Sequence, residues 1–317
     1  MAIRPGEQIL VTGAGGLLGG WLTSQLLSAG YSVIATDLTQ DGFSGAGVDW
    51  VTGDICDERY INQLLSCRKV AAIVHCAGLL QFSCERFPQK AVDVNVGGTA
   101  ILIAAAKRAG VRRIVFMSTS AVYGNQTTAV DEEALVGAPH GLLGVYSATK
   151  WLAERIGLAE HHANAGPQFV AFRLGFVFGL GKPRSAGLSD VIQRTYGALL
   201  RGEAFHVAEA GGQEHWHFVH VRDVCDAVGA ALAAPSDPTG VYNVAGPSEM
   251  YMSLSNFVAE VAAAAKQRSL GSLTGHASSG PVLVIQKLAR NLEFQPTFTI
   301  GQAVNHDLGI LKTMSAR

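Results

Sequence analysis

The chain has 317 residues, with 24 Lys and Arg against 25 Asp and Glu and no basic run, so neither nucleic acid nor an anionic membrane surface is expected as a main partner. Apolar residues make up 48%, yet no apolar stretch approaches the ~20 residues that a membrane helix needs. The first residues lack the apolar run of a signal peptide and the five cysteines show no paired spacing, so reduced thiols and a cytoplasmic setting are expected.

In chain order, residues 8–13 read as a buried strand, 16–30 as a helix closing on Gly30, and 31–37 as a second strand. Residues 57–67 read as a helix, 70–78 as a strand and 91–110 as one long helix. A strand over 113–124 runs into a loop, followed by a helix over 146–165 and a strand over 168–175. This alternation predicts an α/β fold with a doubly wound parallel sheet of Rossmann type. Beyond Gly175 it gives way to a loop rich in Gly, Pro and Arg, mixed short elements, an Ala-rich helix over 254–266, a polar stretch over 269–280 and a short tail. The expected division is a dinucleotide-binding domain over 1–175 and a smaller substrate-binding region over 176–317, some of whose strands and helices return to the first domain. Length alone favours two such units.

The turn "VTGAGGLLGG" joins the first strand to the first helix, with Gly13, Gly16 and Gly19 at G-x-x-G-x-x-G spacing. Gly13 permits a tight turn, Gly16 lets the backbone approach a pyrophosphate, and Gly19 allows close helix–strand packing, with the helix N-terminus facing the anion. Asp37 ends the second strand 18 residues past Gly19, where a carboxylate accepts both adenosine ribose hydroxyls. It would repel a 2′-phosphate, and no Lys or Arg follows in "LTQDG", so NAD is favoured over NADP. Asp54 and Ile55 follow the next strand-like stretch, where they can flank adenine. Tyr146 and Lys150 stand four residues apart, a spacing that puts both on one helix face.

Together, "TGAGGLLG", Asp37, "GDICD", "HCAG", Asn95, "STSAVYG" and "YSATK" resemble, in order and spacing, the extended short-chain dehydrogenase/reductase family, in its NAD-dependent epimerase/dehydratase group. The resemblance covers about residues 8–246. It implies that Tyr146 and Lys150 are the catalytic pair, with Thr119 as the substrate-binding hydroxyl and Ser118 and Ser120 flanking it. A free phenol is a poor base near neutral pH, but a neighbouring ammonium and a cationic nicotinamide favour phenolate. The resemblance also implies a cofactor site of Gly13, Gly15, Gly16, Leu17, Leu18, Gly19, Asp37, Asp54, Ile55, Ala77, Gly78, Asn95 and Lys150, with Asn95 as a helix-interrupting brace. It implies a homodimer formed through the helices at 91–109 and 146–165, whose Ala104, Ala105 and Ala153 would allow close approach.

The chain departs from the family pattern at its substrate end. The acid pair of dehydratases is replaced by Ser120 and Ala121, which disfavours dehydration. Phe176 stands where sugar-nucleotide enzymes carry an asparagine, and Trp216 where they carry a diphosphate-binding arginine. An indole offers one donor and no charge. Lys182, Arg184 and His217 remain as polar groups for a carboxylate or hydroxyls. The histidines of "HWHFVH" fall on both faces of an expected edge strand with no Asp, Glu or Cys at ligand spacing, so no metal is expected. The favoured reading is an NAD-dependent oxidoreductase acting on a secondary alcohol or ketone of a small sugar-like, polyol or sugar-acid substrate, with a sugar-nucleotide epimerase as the alternative. A non-catalytic NAD sensor ranks below both, because Tyr146 and Lys150 are both kept.

Overall fold

The computed structural model describes residues 1–40, 47–126, 128–137, 142, 144–181, 188–204, 212–267 and 279–315. Its elements begin with β1 (Gln8–Thr12), α1 (Leu17–Ser28), β2 (Ser32–Asp37), β3 (Val48–Thr52), α2 (Glu58–Ser66) and β4 (Val70–His75). Then come α3 (Gln81–Arg86), α4 (Pro88–Ala91), a π-helical stretch (Val92–Gly98), α5 (Thr99–Arg108), β5 (Arg113–Thr119), a 3-10 turn (Ser120–Tyr123), β6 (Ala129–Val130), α6 (Gly144–Asn164) and β7 (Gln168–Leu174). The remainder is β8 (Phe176–Phe178), α7 (Leu188–Arg201), β9 (His215–His220), α8 (Val221–Ala233), β10 (Gly240–Val244), a 3-10 turn (Ser248–Met250), β11 (Tyr251–Ser253), α9 (Leu254–Ala264), β12 (Val282–Leu283), α10 (Gln286–Leu292) and α11 (Ile300–Ser315).

Seven parallel strands form the main sheet in the order β10-β7-β5-β4-β1-β2-β3. Helices cover both faces, so strands such as β1 and β4 are apolar almost throughout rather than alternating. Leu22 and Leu26 of α1, Val224 to Leu232 of α8, and Leu288 of α10 fill one side. Ile61 and Leu64 of α2, Leu102 and Ile103 of α5, and Ala153 of α6 fill the other. The chain winds outward from β1 to β3, then returns to β4 on the opposite side of β1. At that reversal Thr12 pairs with His75. Ligands of open α/β sheets bind beyond the strand ends at such a point.

A second lobe packs a three-stranded sheet, β11-β9-β8, against α7, α9 and α11. Its centre is aromatic: Phe218 stacks on Phe257 at 4.3 Å between ring centres, with Phe178 edge-on to Phe257 at 5.0 Å. The division near residue 175 is crossed repeatedly, because α8, β10 and α10 rejoin the main sheet.

Three sequence expectations change. The single helix over 91–110 is broken by a π-helical stretch that holds Asn95 inward. The "HWHFVH" strand is central in the small sheet, with β11 and β8 on either side, not an edge. The tail is not short, because it includes α10 and the 16-residue α11. No helix among the described residues is long and apolar enough to cross a membrane.

Candidate active site

At the C-terminal end of β1 the glycines meet distinct demands. Gly13 has φ +67, and a Cβ there would stand 2.6 Å from the main-chain N of Ala77. A Cβ on Gly19 would overlap the carbonyl of Gly13, so α1 packs on the turn only without a side chain there. Gly16 is the N-cap of α1 and makes no side-chain cap, which leaves the first-turn N–H groups of Leu17 and Leu18 at the helix end facing outward. Half-buried Asp37, at the end of β2, accepts from Gly15 N at 2.9 Å and from Leu38 N at 2.7 Å. It therefore stands beside the glycine turn. Asp54 closes a turn by accepting from Cys56 N at 2.9 Å, while Ile55 is buried against Gly98.

Behind the turn runs an ordered relay. Ala77 N donates to Thr12 Oγ1 at 3.3 Å, and Thr12 Oγ1 lies 2.7 Å from His75 Nδ1. His75 Nε2 lies 3.0 Å from Thr99 Oγ1, which donates to the carbonyl of Asn95 at 2.7 Å. Because Thr99 spends its proton on Asn95, His75 must donate from Nε2 and accept at Nδ1. Burial, with the Lys150 charge beyond it, pushes His75 down to about 3, so it stays neutral in this role. Asn95 accepts from Leu79 N at 2.7 Å and donates to Leu79 O at 3.1 Å and Thr149 Oγ1 at 3.1 Å. Its amide is thus committed to the chain itself. Asn95 braces the segment containing Ala77 and Gly78 against the helix of Lys150.

Tyr146 and Lys150 lie on the first turns of α6. Half-buried Tyr146 faces Thr119, whose hydroxyl is near enough to act on the phenol. Burial pushes the phenol up to about 12, against the lowering effect of Thr119. Lys150 is buried, with Nζ 4.1 Å from the centre of the Phe116 ring. Burial pushes it down to about 8, with Cys76 and Glu154 acting the other way. Thr119 also accepts from Ala121 N at 3.2 Å, capping the 3-10 turn in which Ser120 follows.

Ser118 does not join this group. It is buried on the other face of β5, where its hydroxyl donates to Glu154, and that carboxylate pairs with buried Arg173 at 2.8 Å. Successive strand residues point to opposite faces, so Ser118 and Thr119 could not both face the site.

Sequence reasoning missed Glu85. Its carboxylate accepts from Val145 N at 3.2 Å and Tyr146 N at 3.3 Å, so α3 supplies the cap for α6. Gly144 has φ +88, and a Cβ there would overlap that carboxylate. A contact 60 residues apart in sequence leaves no local signal except that glycine.

On the lobe side, Phe176 and Trp216 meet edge to face, 5.4 Å between ring centres, and both extend the aromatic core of the lobe. The indole N–H of Trp216 is buried and has no hydrogen-bond partner among the described residues. Both ring nitrogens of His217 bond within the chain. Its Nδ1 accepts from Leu283 N at 3.1 Å, so Nε2 carries the hydrogen and donates to Gly246 O at 3.0 Å. Burial lowers its pKa. Lys182 and Arg184 lie outside the described residues. Among the described residues, His220, His306 and Asp307 bring ligand-type atoms within 4.8 Å of one another. Asp307 already accepts from Leu180 N at 2.8 Å and Tyr196 Oη at 3.0 Å besides both histidines, so hydrogen bonding accounts for the cluster.

The profile of the NAD dependent epimerase/dehydratase family matches residues 9–245. Mouse short-chain dehydrogenase/reductase family 42E member 1 is 30% identical over 70% of this chain and 57% of its own length. A UDP-glucose 4-epimerase of Lacticaseibacillus casei is 33% identical over 69% of this chain and 70% of that enzyme. The solved structure of MoeE5 in complex with UDP-glucose and NAD superposes with a TM-score of 0.80 over 97% of this chain and 99% of that one, at 25% identity. With the profile covering most of the chain, the protein belongs to the NAD-dependent epimerase/dehydratase family of extended short-chain dehydrogenases/reductases.

Proposed function

We propose that the protein is an NAD-dependent oxidoreductase that moves hydride at a secondary alcohol or ketone of a small sugar-like, polyol or sugar-acid substrate. The observation that carries this reading is the placement of Tyr146 beside Thr119, which acts on the buried phenol, with Lys150 one helical turn further along α6. NAD, when bound, supplies the hydride acceptor or donor. The glycine turn and Asp37 would hold its pyrophosphate and adenosine ribose, and Lys150 its nicotinamide ribose. Thr119 holds the substrate oxygen, and Tyr146 takes or returns its proton. The phenol is costly to ionise where it stands, pushed up to about 12 by burial. With NAD bound, a cationic nicotinamide together with the Lys150 ammonium would favour the phenolate and make Tyr146 a usable base.

The Phe176–Trp216 contact supports this choice of substrate class. A diphosphate brings about two negative charges that must be paired once out of water. Two packed rings supply one N–H between them and no charge. They suit a short ring or an aryl group better than a nucleotide.

A second reading, sugar-nucleotide epimerase with retained NAD, is favoured by the relatives and by the superposition on a UDP-glucose complex. There the same Tyr146 and Lys150 serve, and hydride returns to the other face of the sugar. One experiment separates the two: mass spectrometry of ligands released from purified protein, then a panel of alcohols assayed for NADH alongside UDP-glucose assayed for UDP-galactose. NADH formation with a non-nucleotide alcohol, and no UDP-galactose, is the expected result. Conversion of UDP-glucose replaces the first reading with the second. The functional unit in either case is proposed to be a homodimer.

A further inference from the structure

Helix α11 lies beyond the stretch that the family profile matches, yet it carries a fully buried carboxylate, Asp307. A buried carboxylate persists only when its oxygens are hydrogen-bonded. Asp307 Oδ2 accepts from Leu180 N at 2.8 Å, Tyr196 Oη at 3.0 Å and His220 Nε2 at 3.2 Å, and Oδ1 lies 2.9 Å from His306 Nδ1. Burial pushes the carboxyl up, but these bonds outweigh it and hold Asp307 below the ordinary carboxylate value.

The partners lead back to the glycine turn. Leu180 follows β8, and its carbonyl accepts from Trp21 Nε1 of α1 at 2.8 Å. Both main-chain groups of Leu180 are thus held, the N–H from α11 and the carbonyl from α1. The Trp21 ring also lies 5.7 Å from His306 and 6.0 Å from His220. The next residue, Gly181, sits so close to Leu17 that a Cβ would overlap its side chain. Leu17 is the first residue of α1, immediately after the Gly16 cap, at the end that faces an anion.

We infer that Asp307 is a positioning residue for cofactor: through Leu180 and Gly181 it fixes the Leu17 end of α1, and so sets how tightly the glycine turn holds a dinucleotide. The inference rests on the NAD reading above and adds to it a site on the far helix. Asparagine keeps one oxygen for Leu180 and Tyr196 and turns its amide to His306, so it should replace aspartate here. Alanine should not.

The test is calorimetric titration of the full chain with NAD⁺, with thermal unfolding as the fold control. Asp307→Ala should weaken NAD⁺ by about tenfold or more, and Asp307→Asn should stay within about threefold of native. Two milder variants cover the case in which Asp307→Ala does not fold. Gly181→Ala displaces Leu17, and Trp21→Phe keeps the ring but removes the bond to Leu180. Each should weaken NAD⁺ by about three- to tenfold with little change in unfolding temperature. Native affinity in Gly181→Ala and Trp21→Phe overturns the inference while leaving the NAD reading intact. A native chain that binds no NAD⁺ overturns both.

Discussion

Lys150 stands where its charge is disfavoured. It is buried, its ammonium lies over the Phe116 ring, and burial lowers it from 10.5 to about 8. A lysine that gives up its proton more readily when folded weakens the fold wherever it is charged. Between about pH 8 and 10.5 the unfolded chain binds more protons than the native one, so this residue's contribution to stability rises with pH across that window. Lys150→Met should therefore stabilise the cofactor-free protein near pH 7, and the advantage should shrink toward about pH 10. Denaturant titrations of both proteins at the two pH values check this, and an advantage that grows with pH would contradict it. The cost is worth bearing if the ammonium serves NAD and Tyr146, so Lys150→Met should also weaken NAD⁺ binding. Tyr146→Phe removes only the hydroxyl that Thr119 contacts. It should keep NAD⁺ affinity while lowering turnover of the true substrate by roughly 10²–10⁴-fold. Native turnover in Tyr146→Phe would remove the phenol from the mechanism.

At the scale of elements, α6 depends on α3 for its start. The first N–H groups of a helix have no intrahelical partner. Here Glu85 takes those of Val145 and Tyr146, and Gly144 makes the space. Glu85→Ala should lower stability by about 1 kcal/mol, the usual scale of a lost cap. Because Tyr146 is one of the capped residues, turnover should fall more than the stability loss alone explains, and Glu85→Gln, which keeps an acceptor, should recover most of it. Steady-state kinetics beside thermal unfolding decides. If Glu85→Ala turns over normally, the cap is structural only. This part of the site was hidden in the sequence for a plain reason. Capping by a local Ser, Thr, Asp or Asn leaves a mark, as Asp57 does at α2, whereas a carboxylate brought in by another helix does not. The π-helical stretch left no mark in the apolar spacing, which reads as one helix; only the resemblance pointed to an interruption at Asn95, and its contacts with Leu79 and Thr149 give a reason for the wider turn.

At the scale of the molecule, the parallel sheet was legible because its inner strands β1, β2, β4, β5 and β7 are buried and helices such as α1 and α5 end at glycine, whereas the half-exposed edge strand β3 left a weaker mark. The lobe was less so, because its strands are short and its core assembles from β8, β9, α7, α9 and α11, separated by long stretches of chain. The expected dimer shows the same difference. Ala105 and Ala153, expected at an interface, are instead buried against the sheet of their own chain, which the sequence pattern could not separate from a contact stripe. What faces outward is different. Leu80, Phe82, Phe87, Val92 and Leu152, each 42–52% exposed, belong to α3, α4, the π-helical stretch, α6 and their flanks, segments that pack on one another. Scattered exposed apolar residues are ordinary, but a group on adjoining elements suits burial against another protein surface. A second copy that meets this face through α6 would cover Leu152 and its neighbours and leave the strand ends open to ligand. Light scattering should then give twice the 33.3 kDa of one chain at micromolar protein. Leu152→Glu, which places a charge in the centre of that contact, should return the mass to a single chain without loss of secondary structure. A native protein that elutes with one chain's mass would refute the dimer, and a dimer indifferent to Leu152→Glu would place its contact on another face.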